Sequence, residues 1–270
     1  MLPANEVWND VEAVRARAPL VHNITNYVVM NLTANALLAL GASPVMAHAL
    51  DEVEEMVNIA SALVVNIGTL SVPWIESMFR AADAAKKRGI RIVFDPVGAG
   101  ATRFRTETAR EFIDSFRPTI IRGNPSEIRA LAMQDSLTKG VDSRHETEAA
   151  LAAAFDLVET YGSVVSISGE VDRIVTSDRI ITVANGHPMM PRVTGLGCTA
   201  TALTGAFAAV NPSPFEAAAT AMAVMGIAGE MAGEKAPGPG SFQVEFLDAL
   251  YRISEKDVRE RLRAAEENRG

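Results

Sequence analysis

The sequence predicts an α/β fold in which a mostly parallel central sheet is flanked by helices on both faces. Two observations lead to this fold class. Short apolar runs rich in β-branched residues alternate with longer helical stretches, which is the pattern of parallel strands joined by helices. Hydrophobic residues make up 48% of the chain, enough for a large buried core. Because 270 residues is an ordinary length for one α/β domain, we expect a single domain over 1–270.

Three apolar runs in the first half of the chain indicate buried parallel strands. They are ALVVNIG (62–68), IRIVFDP (90–96) and PTIIRGNP (118–125), and each ends in polar residues, glycine or proline. A helix-like segment follows each run, and these predicted helices cover 71–88, 107–115 and 126–133.

The spacing of the elements changes in the second half. GSVVSISG, DRIVTSD and RIITVANG follow one another closely between 162 and 186, which indicates a β-meander that adds antiparallel strands to the sheet. Helices are then expected over 198–209 and 214–232, with a loop at 233–241. The charged tail from 243 onward predicts one amphipathic surface helix.

Composition excludes several classes of function. The net charge is −8, and no run of lysine and arginine suggests a nucleic-acid or anionic membrane surface. One cysteine cannot form an internal disulfide, and no Cys/His cluster has metal-site spacing. The N-terminus lacks the apolar segment of a signal peptide. We therefore expect a cytoplasmic protein with no nucleic-acid or membrane partner.

Ligands of such sheets bind outside the carboxyl ends of the strands, so the polar residues there become candidates. They are Asp95, Arg122, Asn124, Glu127, Ser168 and the loop Gly195–Cys198.

The loop TGLGC combines two glycines with the start of a predicted helix. Glycines let the backbone approach a ligand closely, and the helix directs its free N–H groups at the loop. This pattern indicates an anion hole for a phosphoryl group, with Cys198 on its rim. The alternative is a loop that caps the helix and carries a buried, inert cysteine.

Two carboxylates indicate a second kind of site. Asp95 ends an apolar strand, and Glu127 falls in the first turn of a helix that Asn124 can cap and Pro125 can open. Both side chains suit Mg²⁺ or its waters, and Arg122 suits a phosphate. The alternatives are a turn residue for Asp95, compensation of the helix dipole for Glu127, and an ion pair for Arg122.

Other features are less specific. Met46 could line a flat apolar pocket or belong to the core. His22 and His48 stand in apolar stretches and are interpreted as satisfied core residues. The chain has no P-loop, no dinucleotide fingerprint and no G-x-S-x-G elbow. The sequence does not exclude a catalytic pair of Cys198 and a histidine.

Four motifs taken together resemble the hydroxyethylthiazole kinase family of thiamin salvage, within the ribokinase-like superfamily. They are the segment HNITNYVVMNLTANALLALGASPVMAHALDEVEEM, then DPVGAGATRFRT, IRGNPSEI and VTGLGCTATAL, in that order. The resemblance implies a ribokinase-like fold without a separate lid domain. It implies transfer of the ATP γ-phosphoryl group to the hydroxyl of 4-methyl-5-(2-hydroxyethyl)thiazole. It also implies a homotrimer with active sites between subunits.

The resemblance also assigns roles to single residues. Met46 and Gly195 match positions that contact the thiazole, with Asn26 a further candidate. Arg122 and Ser168 match positions that contact ATP, and Asp95 and Glu127 match the acidic Mg²⁺ site. Gly197 and Cys198 occupy the catalytic turn, where most of the superfamily has an aspartate base. The thiol would orient the hydroxyl or accept its proton, and the sequence leaves these two roles open.

Three other functions compete with this interpretation. Hydroxymethylpyrimidine and pyridoxal kinases share the fold, but they normally keep the aspartate that Cys198 replaces. An ATP-dependent NAD(P)H-hydrate dehydratase shares it too. A non-catalytic nucleotide-binding module is disfavoured because Asp95, Glu127 and Gly195–Cys198 are all present.

Overall fold

The computed structural model describes residues 2–132 and 143–269. Within these ranges a nine-stranded sheet organises the chain. Its strands are β1 (Leu20–Ile24), β2 (Ser43–Val45), β3 (Ala62–Asn66), β4 (Arg91–Asp95), β5 (Ile120–Gly123), β6 (Val164–Ile167), β7 (Asp172–Val175), β8 (Arg179–Val183) and β9 (Ala264–Asn268).

The helices of the described ranges connect and cover these strands. They are α1 (Ala4–Arg17), α2 (Met30–Leu40), α3 (Val53–Ile59), α4 (Val72–Arg88), α5 (Arg103–Phe116), α6 (Pro125–Ala132), α7 (Ser143–Tyr161), α8 (Leu196–Val210), α9 (Pro214–Gly233), α10 (Pro239–Arg252) and α11 (Glu255–Arg261). The predicted helix over 126–133 corresponds to α6, and residue 133 lies outside the described residues. Of the helices in the described part of the chain, none is both long and apolar enough to cross a membrane.

The strand order is β2-β1-β3-β4-β5-β6-β7-β8-β9. The first six strands of that order run parallel, and β7, β8 and β9 add antiparallel pairs at one side. The predicted mostly parallel sheet and its antiparallel meander are therefore confirmed. In the register of β3 and β4, Asn66 lies opposite Asp95, which brings two polar side chains to the same carboxyl end.

Helices cover both faces of the sheet, as predicted. Strand β4 shows why, because Val93 packs into one core while Ile92 and Phe94 pack into the other. Successive side chains of a strand point to opposite faces, so a strand buried on both faces is apolar throughout. The first core holds residues of α1, α2 and α8–α10, and the second holds residues of α3–α7.

The prediction of one surface helix from 243 onward is wrong. Pro239 opens α10, whose Phe242 and Phe246 are fully buried. Ser254 and Asp257 form a capping box that starts α11, a separate helix. The last segment then pairs with β8 as β9, although Ala-Ala-Glu-Glu-Asn has little intrinsic strand preference. The free hydrogen-bonding groups of β8 decide the conformation of this segment. Sequence periodicity does not reveal which strand a segment pairs with.

Helix α9 is buried along most of its length and carries small residues where a loop crosses it. A Cβ added at Gly226 would lie 2.5 Å from the carbonyl oxygen of Asn185. Asn185 cannot withdraw easily, because its amide donates to Glu230 Oε1 and to the carbonyl of Arg261. This close approach holds the loop that leads into α8.

We expect Gly226→Ala to destabilise the protein by about 1–3 kcal/mol, because the overlap outweighs the better helix propensity of alanine. Gly240→Ala is the matched control, since Gly240 is exposed in α10 and a Cβ there meets no atom within 4 Å. That variant should be neutral or slightly stabilised. Thermal unfolding of both variants measures the difference, and equal melting temperatures would contradict the close packing.

Candidate active site

The predicted site residues gather at one end of the sheet. Parallel strands end at the same edge, so the loops after β1, β3, β4, β5 and β6 all open there. The N-terminus of α8 faces the same edge, because Thr201 of that helix reaches the end of β4. The predicted residues at this edge are Asn26, Met46, Asp95, Arg122, Glu127, Ser168, Gly195, Gly197 and Cys198.

Asp95 lies at the centre of this edge and is fully buried. Its Oδ2 accepts hydrogen bonds from Asn66 Nδ2 at 2.8 Å and from Thr201 Oγ1 at 2.7 Å. Its other oxygen, Oδ1, is buried with no hydrogen-bond partner among the residues that the structure describes. Buried carboxylate oxygens are normally paired, so Oδ1 indicates a position for a ligand.

A chain of amide groups connects Asp95 with the thiol. Asn26 Nδ2 donates to Asn66 Oδ1 at 2.9 Å and to Cys198 Sγ at 3.5 Å, so both N–H bonds of this amide are used. Asn66 Oδ1 also accepts from the backbone N–H of Gly68. Three strand ends and one helix are thereby held in fixed positions around the thiol.

The charges of these groups follow from their surroundings. Burial raises the pKa of Asp95 to about 6, against the opposing effect of the Arg122 guanidinium. Burial, with the nearby Asp95 carboxylate, raises the pKa of the Cys198 thiol to about 11. At neutral pH the thiol is therefore protonated, and its sulfur accepts a hydrogen bond from Asn26.

Two glycines shape the start of α8. Gly195 precedes the helix with a φ of +91°, and a Cβ there would lie 2.8 Å from Cγ1 of Val29. At Gly197 a Cβ would lie 3.1 Å from Arg122 Nη1, so the guanidinium sits against the bare backbone. Free N–H groups and a buried cation thus face the same space, which suits an anion.

Glu127 joins two loops at the same edge. Its Oε1 accepts from the N–H of Gly98 at 2.9 Å, and its Oε2 accepts from the N–H of Asn124 at 2.8 Å. Asn124 Oδ1 accepts the N–H of Glu127 in return, so the predicted cap and the opening Pro125 are confirmed. A cleft of about 510 Å³ opens beside these loops, between Gly98–Ala101 and the start of α6.

Met46 and Ser168 lie farther apart than the other candidates. Met46 follows β2 and Ser168 follows β6, which are five intervals apart in the sheet order. At about 4.8 Å per interval the two loops are separated by about 24 Å. Both side chains are partly buried. The edge is long enough for an extended ligand and a second small one.

Sequence reasoning missed three residues of this region. Asn66 ends β3, and the same strand-end rule would have found it. Thr201 lies one turn after Cys198, so helical spacing would have placed both on one face. Arg105 donates to the carbonyls of Ile67, Val97 and Gly68 and ties the loops after β3 and β4 together. Nothing in the sequence distinguishes Arg105 from an ordinary helix arginine.

The residues at this edge can hold a divalent cation only together with a bound ligand that supplies further oxygen atoms. Within the described ranges no three His, Cys, Asp or Glu side chains come together as a metal-binding group. The free Oδ1 of Asp95 and the nearby charge of Glu127 supply two carboxylates. Oxygen ligands from phosphates and water would complete the six that Mg²⁺ requires.

Comparisons with known proteins agree on one family. The model of the hydroxyethylthiazole kinase family matches residues 11–256. A hydroxyethylthiazole kinase of Syntrophus aciditrophicus is 63% identical over 95% of each chain. One of Nitratidesulfovibrio vulgaris (strain Miyazaki F) is 56% identical over 95% of this chain and 96% of its own.

Solved structures give the same picture. The hydroxyethylthiazole kinase of Pyrococcus horikoshii superposes with a TM-score of 0.89 at 45% identity, over 97% of this chain and 99% of its own. A pyridoxal kinase of Staphylococcus aureus, bound to AMP-PCP and pyridoxal, superposes with a TM-score of 0.66 at 16% identity, over 93% and 99%. At that identity the second likeness shows the fold alone.

The raised pKa of Asp95 predicts a stability that depends on pH. The pKa in the folded protein, about 6, lies above the ordinary value of 3.8, so ionisation opposes folding. The neutral form of the Asp95 carboxyl therefore makes its full contribution to the stability of the fold below pH 4, and this contribution is lost as pH rises through 6. Asp95→Asn should therefore stabilise the metal-free protein at pH 8 by up to about 3 kcal/mol, and should have little effect at pH 4.

Urea unfolding at both pH values, in the presence of a chelator, measures this difference. Asp83→Asn, at an exposed position of α4, serves as the control and should show no such pattern. If the Asp95→Asn variant were less stable than the wild type at pH 8, favourable contacts of the carboxylate would outweigh its burial.

Proposed function

The chain belongs to the hydroxyethylthiazole kinase family, and from this premise we propose that its carboxyl-end site performs the family's reaction. In that reaction the γ-phosphoryl group of ATP passes to the hydroxyl of 4-methyl-5-(2-hydroxyethyl)thiazole, a step of thiamine diphosphate biosynthesis and salvage. The observation that carries the assignment to this site is the junction of α8 with β4, where Thr201 donates to Asp95 Oδ2 and Asp95 Oδ1 has no hydrogen-bond partner among the described residues.

Phosphoryl transfer requires positioning and stabilisation of charge more than a strong base. The first turn of α8 offers free backbone N–H groups, and Arg122 lies against Gly197 at the same turn. Together they would stabilise the charge on the transferring group. A glycine at 197 lets the guanidinium lie close to the backbone, because a Cβ there would lie only 3.1 Å from Arg122 Nη1.

Asp95 and Glu127 are our candidates to hold Mg²⁺ with the triphosphate. When bound, the ion would neutralise phosphate charge and orient the leaving group. Asp95 Oδ1 is free to contact the ion or its water. Glu127 would act mainly through water, because each of its oxygens already accepts a backbone N–H.

We assign Cys198 to orienting the hydroxyl of the alcohol. A thiol with a pKa of about 11 is almost entirely protonated at neutral pH, which makes it a poor general base before the ligands bind. In a loose transition state the alcohol loses its proton late, so orientation by the sulfur is sufficient. Asn26 fixes the sulfur by its hydrogen bond.

We place the two ligands at opposite ends of the carboxyl edge of the sheet. Arg122 and Ser168, in and after β5 and β6, would contact ATP. Met46, Asn26 and Gly195, near β1 and β2, would contact the thiazole. Transfer then occurs between them, at the start of α8.

We also propose a homotrimer whose sites are completed by a neighbouring subunit. Tyr27 and Val28 are 65% and 66% exposed, and the ring of Tyr27 lies 6.3 Å from that of His48, two residues after Met46. Exposed apolar groups beside a reacting centre are costly unless another surface covers them, and water must be excluded from the transfer. We treat 1–270 as one domain, because a single sheet includes both β1 and β9.

The metal role of the two carboxylates is tested by activity. Asp95→Asn and Glu127→Gln should each lower kcat for the thiazole alcohol by about 100-fold or more, in the range of lost electrostatic stabilisation. A coupled assay of ADP release with Mg·ATP measures this, and hydrated NADH and pyridoxal serve as competing substrates. Wild-type activity of either variant at limiting Mg²⁺ would show that its carboxylate does not serve the metal.

The role of Cys198 is tested by comparison with its neighbour. Cys198→Ser should keep measurable activity, because a hydroxyl can also orient the alcohol, and Cys198→Asp should stay active. Gly197→Val should lose more activity than either, since its side chain meets Arg122. Steady-state kinetics ranks the variants, and mass spectrometry should find no phosphocysteine during turnover. A trapped phosphocysteine would show covalent catalysis.

The trimer is tested by mass. Light scattering at micromolar concentration should give about three times the chain mass of 28.8 kDa. Met46→Asp should raise KM for the thiazole more than KM for ATP, because Met46 belongs to the thiazole side. A monomer with full activity at assay dilution would remove the shared-site proposal.

A further inference from the structure

His22 lies in the middle of β1, between β2 and β3. It pairs with Val45 on one side and Leu63 on the other, and its side chain is fully buried. Its burial agrees with the sequence expectation of a core residue. The expectation that its polar atoms are hydrogen-bonded holds for only one of the two ring nitrogens. Its Nε2 lies 2.8 Å from the carbonyl oxygen of Ala47, whereas Nδ1 has no hydrogen-bond partner among the described residues.

The geometry fixes the tautomer of this imidazole. A carbonyl oxygen can only accept, so Nε2 must carry the proton and donate to Ala47. Burial lowers the pKa of His22, which keeps the ring neutral. Nδ1 then presents a buried lone pair without a donor, an arrangement that costs stability. A leucine would fill the same space without that cost, so packing alone does not explain a histidine.

The residue that His22 holds belongs to the loop after β2. Strand β2 has three residues, and after Val45 the chain forms neither strand nor helix until α3 begins at Val53. The carbonyl of Ala47 is therefore held by a side chain and not by a strand. The next residue of this loop is His48, whose ring lies 4.6 Å from the ring of Trp74. The two contacts fix Ala47 and His48, and so fix Met46 next to them.

We propose that His22 is a positioning residue, which sets the place of Met46 for the thiazole alcohol through the hydrogen bond from Nε2 to the Ala47 carbonyl. The proposal rests on the proposed function for the role of Met46. The hydrogen bond and the position of the loop do not depend on the proposed function, and both can be measured without substrate.

A matched pair of amides tests the proposal. The amide nitrogen of glutamine reaches about as far as Nε2 of histidine, whereas asparagine is one methylene shorter and cannot reach Ala47. We expect His22→Gln to keep KM for the thiazole within about twofold of wild type. His22→Asn should raise that KM about fivefold or more, with KM for ATP and kcat nearly unchanged. His22→Leu should behave like His22→Asn, and it replaces that variant if the asparagine does not fold.

The fluorescence of Trp74 gives a second readout that needs no activity. The chain has 2 tryptophans, so Trp8→Phe leaves Trp74 as the single tryptophan. Because His48 contacts its ring, release of the loop should change the emission in His22→Asn and His22→Leu but not in His22→Gln. Unchanged emission in all three variants would overturn the proposal. The proposal would also be overturned if KM for the thiazole and KM for ATP rose equally, in proportion to a lower melting temperature of the variant.

Failure of the proposed function gives a different result. If the wild-type enzyme does not phosphorylate the thiazole alcohol, the fluorescence of the variants still reports whether His22 holds the loop. If the wild-type enzyme is active but KM for the thiazole is the same in all variants, the function stands and the positioning role of His22 is wrong.

Discussion

The buried carboxylate of Asp95 is the constraint on which the rest of the site depends. Removal of this charge from water is costly, and the fold offsets the cost with hydrogen bonds from Asn66 and Thr201. Those two donors come from the neighbouring strand β3 and from α8, the helix that follows Gly195. The requirement to solvate one charge inside the protein therefore fixes the distance between the sheet and that helix. Asn26 and Cys198 take their positions from the same arrangement.

The two edges of the sheet serve different purposes. At the carboxyl edge, Asp95 Oδ1 and Arg122 Nε are buried without hydrogen-bond partners in the described part of the chain. At the opposite edge comparable groups are satisfied, since Arg91 donates to the carbonyls of Ala208, Asn211 and Pro212. Asp10 likewise accepts from Asn211 and Thr220. Two of the unpaired buried polar atoms in the described part of the chain thus lie where a ligand is expected.

Much of this arrangement can be predicted from the sequence, for local reasons. Apolar runs that end in polar residues locate β3, β4 and β5, and the strand-end rule locates Asp95 and Glu127. The hydrogen bonds among Asn26, Asn66 and Cys198 could not be predicted, because they depend on side chains from distant segments that meet only after folding. The raised pKa values have the same origin, since burial is a property of the whole fold. The terminal strand β9 was missed because its partner, and not its own residues, decides its conformation.

The pairing of β9 with β8 has a consequence for the integrity of the molecule. An uncovered outer strand offers free N–H and C=O groups to any other chain, and in β8 these groups accompany Ile180 and Ile181. Loss of β9 would leave the candidate site intact, because the candidate residues lie in or beside other strands and helices. It would replace an outer strand that carries Glu266 and Glu267 with one that carries Ile180 and Ile181, which is a better template for intermolecular pairing. The segment 264–268 thus disfavours aggregation, and a variant that lacks this strand should lose solubility before it loses activity.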